Sequence, residues 1–143
     1  MQNTRGKILW IDDEIHHLKP HILFLEDKGY TLTQAANGQD GIAISEQNNF
    51  DLILLDQSMP GLDGLGTLAE LKKTRSSLPV IMITKTEDEW LMDEAITGQV
   101  EQFLIKPVNP SQIFMACKQT LEQIKLREQK ATSDYLKEFQ EID

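Results

Sequence analysis

The feature that most constrains this chain is an alternation. Five short apolar segments, Lys7–Ile11, Tyr30–Ala35, Asp51–Leu55, Pro79–Ile83 and Gln102–Ile105, recur at near-regular intervals, and each is followed by a stretch with helical spacing. Four of the five are continuous apolar runs, as expected of parallel strands covered on both faces. The second carries Thr31, Thr33 and Gln34 and suits a sheet edge. Between them, Leu18, Ile22 and Leu25 repeat at i, i+4, i+7, and Ile42, Ala43 and Gln47 form a weaker pattern opened by the Asn37-Gly38 turn signal. Leu65, Leu68, Ala69 and Leu71 mark a third helix, and Trp90, Leu91, Ala95 and Ile96 a fourth that ends at Gly98, a suitable C-cap. Asn109-Pro110 opens the last, with Ile113, Cys117, Thr120 and Ile124 on one stripe. Strand then helix, five times over, predicts right-handed βαβ units: an α/β fold with a doubly wound parallel sheet between two helical layers. In such open sheets ligands bind outside the carboxyl ends of the strands, so those positions are the ones to search for chemistry.

The tail departs from this pattern. Lys125–Lys130 is strongly polar, and Thr132-Ser133-Asp134 is expected to interrupt the helix with cap-type residues. Tyr135, Leu136, Phe139 and Ile142 then begin a second stripe too short to stay helical alone. It either packs on the domain or opens a connector to further sequence, and the second reading is preferred.

The 23 Asp and Glu outnumber the 14 Lys and Arg, giving a formal charge of −9. That excess argues against a surface that grips nucleic-acid phosphates. At 40% hydrophobic and 26% charged residues the composition is that of a globular domain rather than a disordered chain. No apolar run approaches the ~20 residues of a membrane span, and Met1–Lys7 does not resemble a signal peptide. A single cysteine, Cys117, rules out an intrachain disulfide and fits a cytoplasmic setting.

Chemistry is concentrated at the strand ends. The first apolar run ends in Asp12-Asp13-Glu14, the third in Asp56, the fourth in Thr84 and the fifth in Lys106. Clustered carboxylates repel one another unless a cation enters, and hard oxygen ligands with open positions favour Mg²⁺. A carboxylate beside a divalent metal, an ammonium and a hydroxyl makes a phosphoryl-accepting site. Each residue also has a plainer reading. Asp13 or Glu14 could start the first helix, Thr84 could be a cap, and Lys106 a surface lysine. Their joint placement favours the site.

Together with Asp56-Gln57-Ser58-Met59-Pro60-Gly61-Leu62-Asp63-Gly64 and Phe103-Leu104-Ile105-Lys106-Pro107, this quartet resembles the receiver domain of bacterial two-component response regulators, the CheY-like domains. The resemblance spans residues 6–126 and leaves 127–143 as the start of a helical connector to a C-terminal effector in cis. It implies a flavodoxin-like (βα)5 fold of strand order 2-1-3-4-5. It also implies a switch rather than an enzyme, with Asp56 taking a phosphoryl group from a sensor histidine kinase. By the same resemblance Asp13, Asp56 and the main-chain carbonyl of Ser58 would hold Mg²⁺ directly and Asp12 through water, with Mn²⁺ able to substitute. Lys106 would pair with Asp56, aimed by a cis peptide before Pro107. Thr84 and Phe103 would switch, altering the face formed by helix four, strand five and helix five and promoting a homodimer; plain core packing of Phe103 stays open. Ser58, Lys85 and Thr86 stand where phosphate lifetime is tuned, and Lys85 is long and charged where the family usually has a small residue. The segments around Trp10, Lys19–Glu26, Ile83-Thr84-Lys85 and Leu104–Pro110 are similar to the receivers of PorX-type regulators, which carry a C-terminal PglZ domain.

Two other readings of the strand-end cluster compete: a Mg²⁺-dependent phosphohydrolase with an aspartyl-phosphate intermediate, and a degenerate receiver that only binds protein. The first would want a second acid where Ser58 stands, and the intact acid pair, Thr84 and Lys106 oppose the second. His17 and His21 have metal-pair spacing but no third ligand, so His16, His17 and His21 are expected to be polar helix surface. Met82, Met92 and Met115 are expected in or near the core.

Overall fold

A computed structural model describes residues 3–141. The strands are β1 (Lys7–Ile11), β2 (Thr31–Ala35), β3 (Leu52–Asp56), β4 (Val80–Thr84) and β5 (Gln102–Ile105). The helices are α1 (Lys19–Asp27), α2 (Gly38–Gln47), α3 (Gly64–Thr74), α4 (Glu89–Thr97) and α5 (Pro110–Glu141), with a short 3-10 turn at Ile15–His17 before α1. All pairings are parallel and the sheet order is β2-β1-β3-β4-β5. The expected doubly wound architecture is therefore present.

Alternation along the strands divides the core into two layers. Ile8, Trp10, Leu52, Leu54, Ile81 and Ile83 point to α1 and α5, where Ile22, Leu25, Ile113 and Cys117 meet them. Their neighbours Leu9, Ile11, Ile53, Leu55, Val80 and Met82 point the other way, to Leu68 and Leu71 of α3 and Ala95 of α4. Because β1, β3 and β4 are covered on both faces, their sequences read as unbroken apolar runs. The polar β2 lies at one edge, as its sequence suggested. The apolar β5 occupies the other edge and is only half-buried.

Three expectations need correction. Thr132-Ser133-Asp134 does not interrupt α5, which runs unbroken to Glu141; the Thr132 hydroxyl donates back to the Glu128 carbonyl at 3.0 Å, so its polar group is satisfied within the helix. Ile142 lies outside the described residues. Met115 is 44% exposed and is not core filler. His21 is not plain helix surface, since it is half-buried, stacks edge-on against Trp10 and bonds the Val108 carbonyl. Among the described residues Ile124 is the last of α5 that is even half-buried, and residues 125–140 are all exposed. No helix of the described residues is long and apolar enough to cross a membrane.

Candidate functional site

Parallel strands all present their carboxyl ends at one edge, and that edge gathers the charged residues. Asp56 is the last residue of β3 and Thr84 the last of β4, both fully buried; Asp12 and Asp13 follow β1, and Lys106 follows β5. Oxygen atoms of Asp12, Asp13 and Asp56 lie within 4.8 Å of one another. Lys106 reaches over them, its Nζ 3.1 Å from Asp56 Oδ1 and 3.3 Å from Asp12 Oδ2.

The neighbours fix each group. Asp12 Oδ1 accepts from the Glu14 N–H at 2.8 Å and so braces the turn into the 3-10 segment, where Glu14 holds the N-cap position without a side-chain cap bond of its own. Asp56 Oδ1 is buried and faces Lys106 as a charge pair but lies in no well-aligned hydrogen bond. Burial, with Asp12 beside it, pushes the Asp56 carboxyl up to about 6 even though Lys106 pulls the other way. For Lys106 burial lowers the ammonium, but Asp56 and Asp12 outweigh it and hold it above its ordinary value. A buried carboxylate with an uncommitted oxygen, two acidic neighbours and one ammonium is short of positive charge, and this donor set fits a hard divalent cation such as Mg²⁺.

Thr84 is buried, and its hydroxyl oxygen accepts from the Thr86 N–H at 3.2 Å. Among the described residues its own proton has no acceptor and is left to donate. Thr86 is exposed and accepts from the Asp88 N–H, so the two bonds tie the end of β4 at Thr84 to the turn that leads to α4. Phe103 is half-buried against the α3 and α4 layer, opposite Met82. The Lys106–Pro107 peptide is cis. Ser58 is exposed two residues beyond Asp56, and Lys85 is exposed directly after Thr84.

The loop after β3 holds two residues, Gln57 and Asp63, that the motif contained but sequence reasoning left unassigned. Gln57 Oε1 accepts from the Leu65 N–H at 2.9 Å, and Asp63 caps α3 through the Gly66 N–H at 2.9 Å. A Cβ on Gly64 would sit 2.6 Å from the Gln57 Cα and 2.8 Å from the Asp56 carbonyl oxygen. Only glycine lets α3 start this close to Asp56. The Asp63-x-x-Gly66 spacing was a readable cap signal.

Comparison with known proteins agrees with this geometry. The family described as response regulator receiver domain matches residues 8–118. The transcriptional regulatory protein ResD of Bacillus subtilis is 31% identical over 120 residues, covering 84% of this chain and 50% of that protein. The probable transcriptional regulator ycf27 of Cyanidium caldarium is 35% identical over 133 residues, 90% of this chain and 52% of that protein. The chain thus spans about half the length of these curated relatives. Among solved structures, a CheY-like receiver domain protein from Methanospirillum hungatei superposes with a TM-score of 0.80 at 27% identity, covering 85% of this chain and 97% of that one. A receiver domain protein from Clostridium thermocellum gives 0.77 at 30% identity over 85% and 98% of the two chains. With its 2-1-3-4-5 strand order, its acidic edge and a family match over most of its length, this chain belongs to the response regulator receiver domains, the signalling domains of two-component systems rather than classical enzymes.

Proposed function

We propose that this domain is a phosphoryl-accepting switch whose acceptor is Asp56, served by a sensor histidine kinase. Receiver domains are phosphorylated by histidine kinases and are often linked to effector domains. The observation that carries the assignment is the Lys106 ammonium spanning Asp56 and Asp12 over a three-carboxylate cluster. Asp12, Asp13 and Asp56, with the Ser58 carbonyl, would hold Mg²⁺, or Mn²⁺ in its place, and the ion would supply positive charge to the phosphoryl oxygens. An Asp56 carboxylate oxygen attacks phosphorus. The donor's P–N bond breaks, and its electron pair returns to the imidazole. Lys106 balances charge on the transferred group, and the free Thr84 proton donates to one of its oxygens.

Once Thr84 turns to the phosphoryl oxygen, the turn that Thr86 shares with it must rearrange. This links Asp56 to the start of α4, with Phe103 filling the space and the face of α4, β5 and α5 serving as output. A phosphorylation-dependent homodimer or an effector in cis would read that face, and the exposed length of α5 from 127 onward suits a connector beyond a receiver of residues 6–126. Ser58, Lys85 and Thr86 tune the lifetime of the phosphoryl group. Lys85, exposed beside the site, slows its loss or restricts small donors. The PorX-type subclass with a PglZ effector rests on sequence motifs alone, and a cytoplasmic location follows from the signalling role.

The test is incubation with Mg²⁺ and acetyl phosphate, or with a histidine kinase when small donors fail. Stoichiometric labelling lost in Asp56→Asn supports the switch. Multiple turnover of unrelated phosphomonoesters would instead make it a phosphohydrolase. Unchanged labelling and decay in Lys85→Ala would remove that residue's tuning role.

A further inference from the structure

His21 stands in the first turn of α1 and takes no part in the chemistry proposed above. Its half-buried ring touches two segments that lead to the phosphoryl site. It meets the Trp10 ring edge to face, with centroids 6.2 Å apart, and Trp10 lies in β1 two residues before Asp12. Its Nε2 lies 2.8 Å from the carbonyl oxygen of Val108, two residues beyond Lys106. A carbonyl can only accept, so Nε2–H donates.

The weight of that bond depends on what else holds the segment. The Lys106 N–H donates to the Thr84 carbonyl at 2.7 Å, which fixes the chain as it leaves β5. Pro107 has no N–H to offer. Among the described residues the bond from His21 is the only hydrogen bond made by Pro107 or Val108. Those of Asn109 go to Ser111, Gln112 and Ile113 in the first turn of α5 and tie the loop to nothing else. The Val108 side chain adds apolar packing, which carries no direction. Lys106 is thus strung between one anchor at the end of β4 and a second on α1. A lysine stem absorbs some displacement of its backbone, but here only 20% of the side chain is exposed. Its Nζ must also meet Asp56 Oδ1 at 3.1 Å and Asp12 Oδ2 at 3.3 Å together.

We infer that His21 is a positioning residue for phosphoryl transfer: by holding the Val108 carbonyl it sets where the Lys106 ammonium stands over Asp56 and Asp12. The inference rests on the phosphoryl-accepting reading above and adds a residue that touches neither the phosphoryl group nor the metal. It acts only through Lys106, whose charge has to be in place before the transferred oxygens arrive.

Two variants separate the bond from the packing. His21→Phe keeps a ring against Trp10 and loses the donor, whereas His21→Gln loses the ring and keeps an N–H donor of similar reach. With Mg²⁺ and acetyl phosphate, or a histidine kinase where the small donor fails, labelling should slow about five- to tenfold in His21→Phe and stay within about twofold of the parent in His21→Gln, the first being the scale of one lost hydrogen bond. Mg²⁺ affinity by calorimetry should not weaken in either variant, because none of the expected ligands lies on the freed segment. In a Lys106→Met background His21→Phe should slow labelling by no more than about twofold, since the group it acts through is gone. Metal-free urea unfolding makes the same comparison without phosphoryl chemistry. There the rise in the unfolding equilibrium constant caused by Lys106→Met should be at least about threefold smaller in His21→Phe than in the parent. Normal labelling in His21→Phe beside a defect in His21→Gln, weakened Mg²⁺ binding in His21→Phe, or an undiminished loss in the Lys106→Met background would overturn the proposal. A parent chain that neither donor labels would instead end the phosphoryl-accepting reading, and the metal-free comparison would then decide alone whether His21 places Lys106.

Discussion

The Lys106 ammonium stands 3.1 Å from Asp56 Oδ1 and sets a positive charge over a pocket of three carboxylates. Lys106 keeps about 20% exposure while Asp56 is buried, so the lysine bears the solvent side of the pair. It therefore occupies the electrostatic role that a metal ion would share.

Replacing Lys106 with Met keeps the aliphatic stem but leaves Asp12 and Asp56 facing each other without that charge. Stability without divalent cations should fall by roughly 1–3 kcal/mol, less than a fully buried pair because Lys106 is partly solvated. Mg²⁺ should bind the variant more tightly than the parent and recover part of the loss. Urea denaturation with and without Mg²⁺ checks both; a variant equally destabilised at every Mg²⁺ concentration would contradict the shared role.

The Asp56 carboxyl, raised from 3.8 to about 6 by burial and by Asp12, makes the stability of the metal-free protein depend on pH in a definite direction. Between those values the folded chain keeps a proton that the unfolded chain has released. Stability should therefore decline as pH rises from about 4 to about 6 and level off above, with Asp56 contributing at most ~3 kcal/mol. Asp56→Asn should lack this portion of the profile. Saturating Mg²⁺ should flatten it in the parent, since the ion favours the ionised form.

Much of this arrangement was legible in the chain because parallel strands carry their own signal. Runs such as Leu52–Leu55 mark strands covered on both faces, and topology then forces Asp12, Asp56, Thr84 and Lys106 to one edge wherever their side chains turn. Hydrogen-bond partners were not legible in this way. His21 and Val108 are 87 residues apart, and no spacing rule joins them. Trp90 and Ile96 fitted the helical pattern of α4 yet lie outside, at 64% and 63% exposure, whereas Leu91 and Ala95 carry its buried side. A short helix with four apolar residues in its pattern does not reveal which two will face the sheet. The tail misled for a related reason: Thr, Ser and Asp favour caps, but a threonine bonded to its own helix is tolerated within one.

Gly64→Ala should show how tightly the phosphoryl-accepting carboxylate is braced. Its new methyl would press on the Gln57 backbone and the Asp56 carbonyl oxygen, neither of which can swing aside as a side chain would. The expected cost is about 1–3 kcal/mol, with the Asp56 segment displaced. The control is Gly61→Ala, where a Cβ meets no atom within 4 Å and the penalty comes only from φ = 77°. Thermal unfolding separates the two, and Mg²⁺ affinity should fall in Gly64→Ala alone.

The outer half of α5 supplies a last test, of where the cooperative unit ends. Among the residues of the helix whose burial is described, Ile124 is the last with partial burial, and Leu126, Tyr135, Leu136 and Phe139 are all more than half exposed. Among the described residues the one ion pair beyond Ile124, between Arg127 and Glu101 at 2.8 Å, joins groups with 59% and 22% of their side chains exposed and contributes little in solution. Ending the chain after residue 128 keeps that pair and every buried contact of the described residues, so the unfolding free energy should stay within about 0.5 kcal/mol of the parent. The helical signal should fall, because the removed turns are helical only as an extension of a packed helix, and a peptide of residues 129–141 should be unstructured in water. A loss of several kcal/mol on truncation would mean that the exposed apolar residues of the tail fold back onto the domain or pair between copies. Sedimentation of the full chain against the truncated one would tell those two apart.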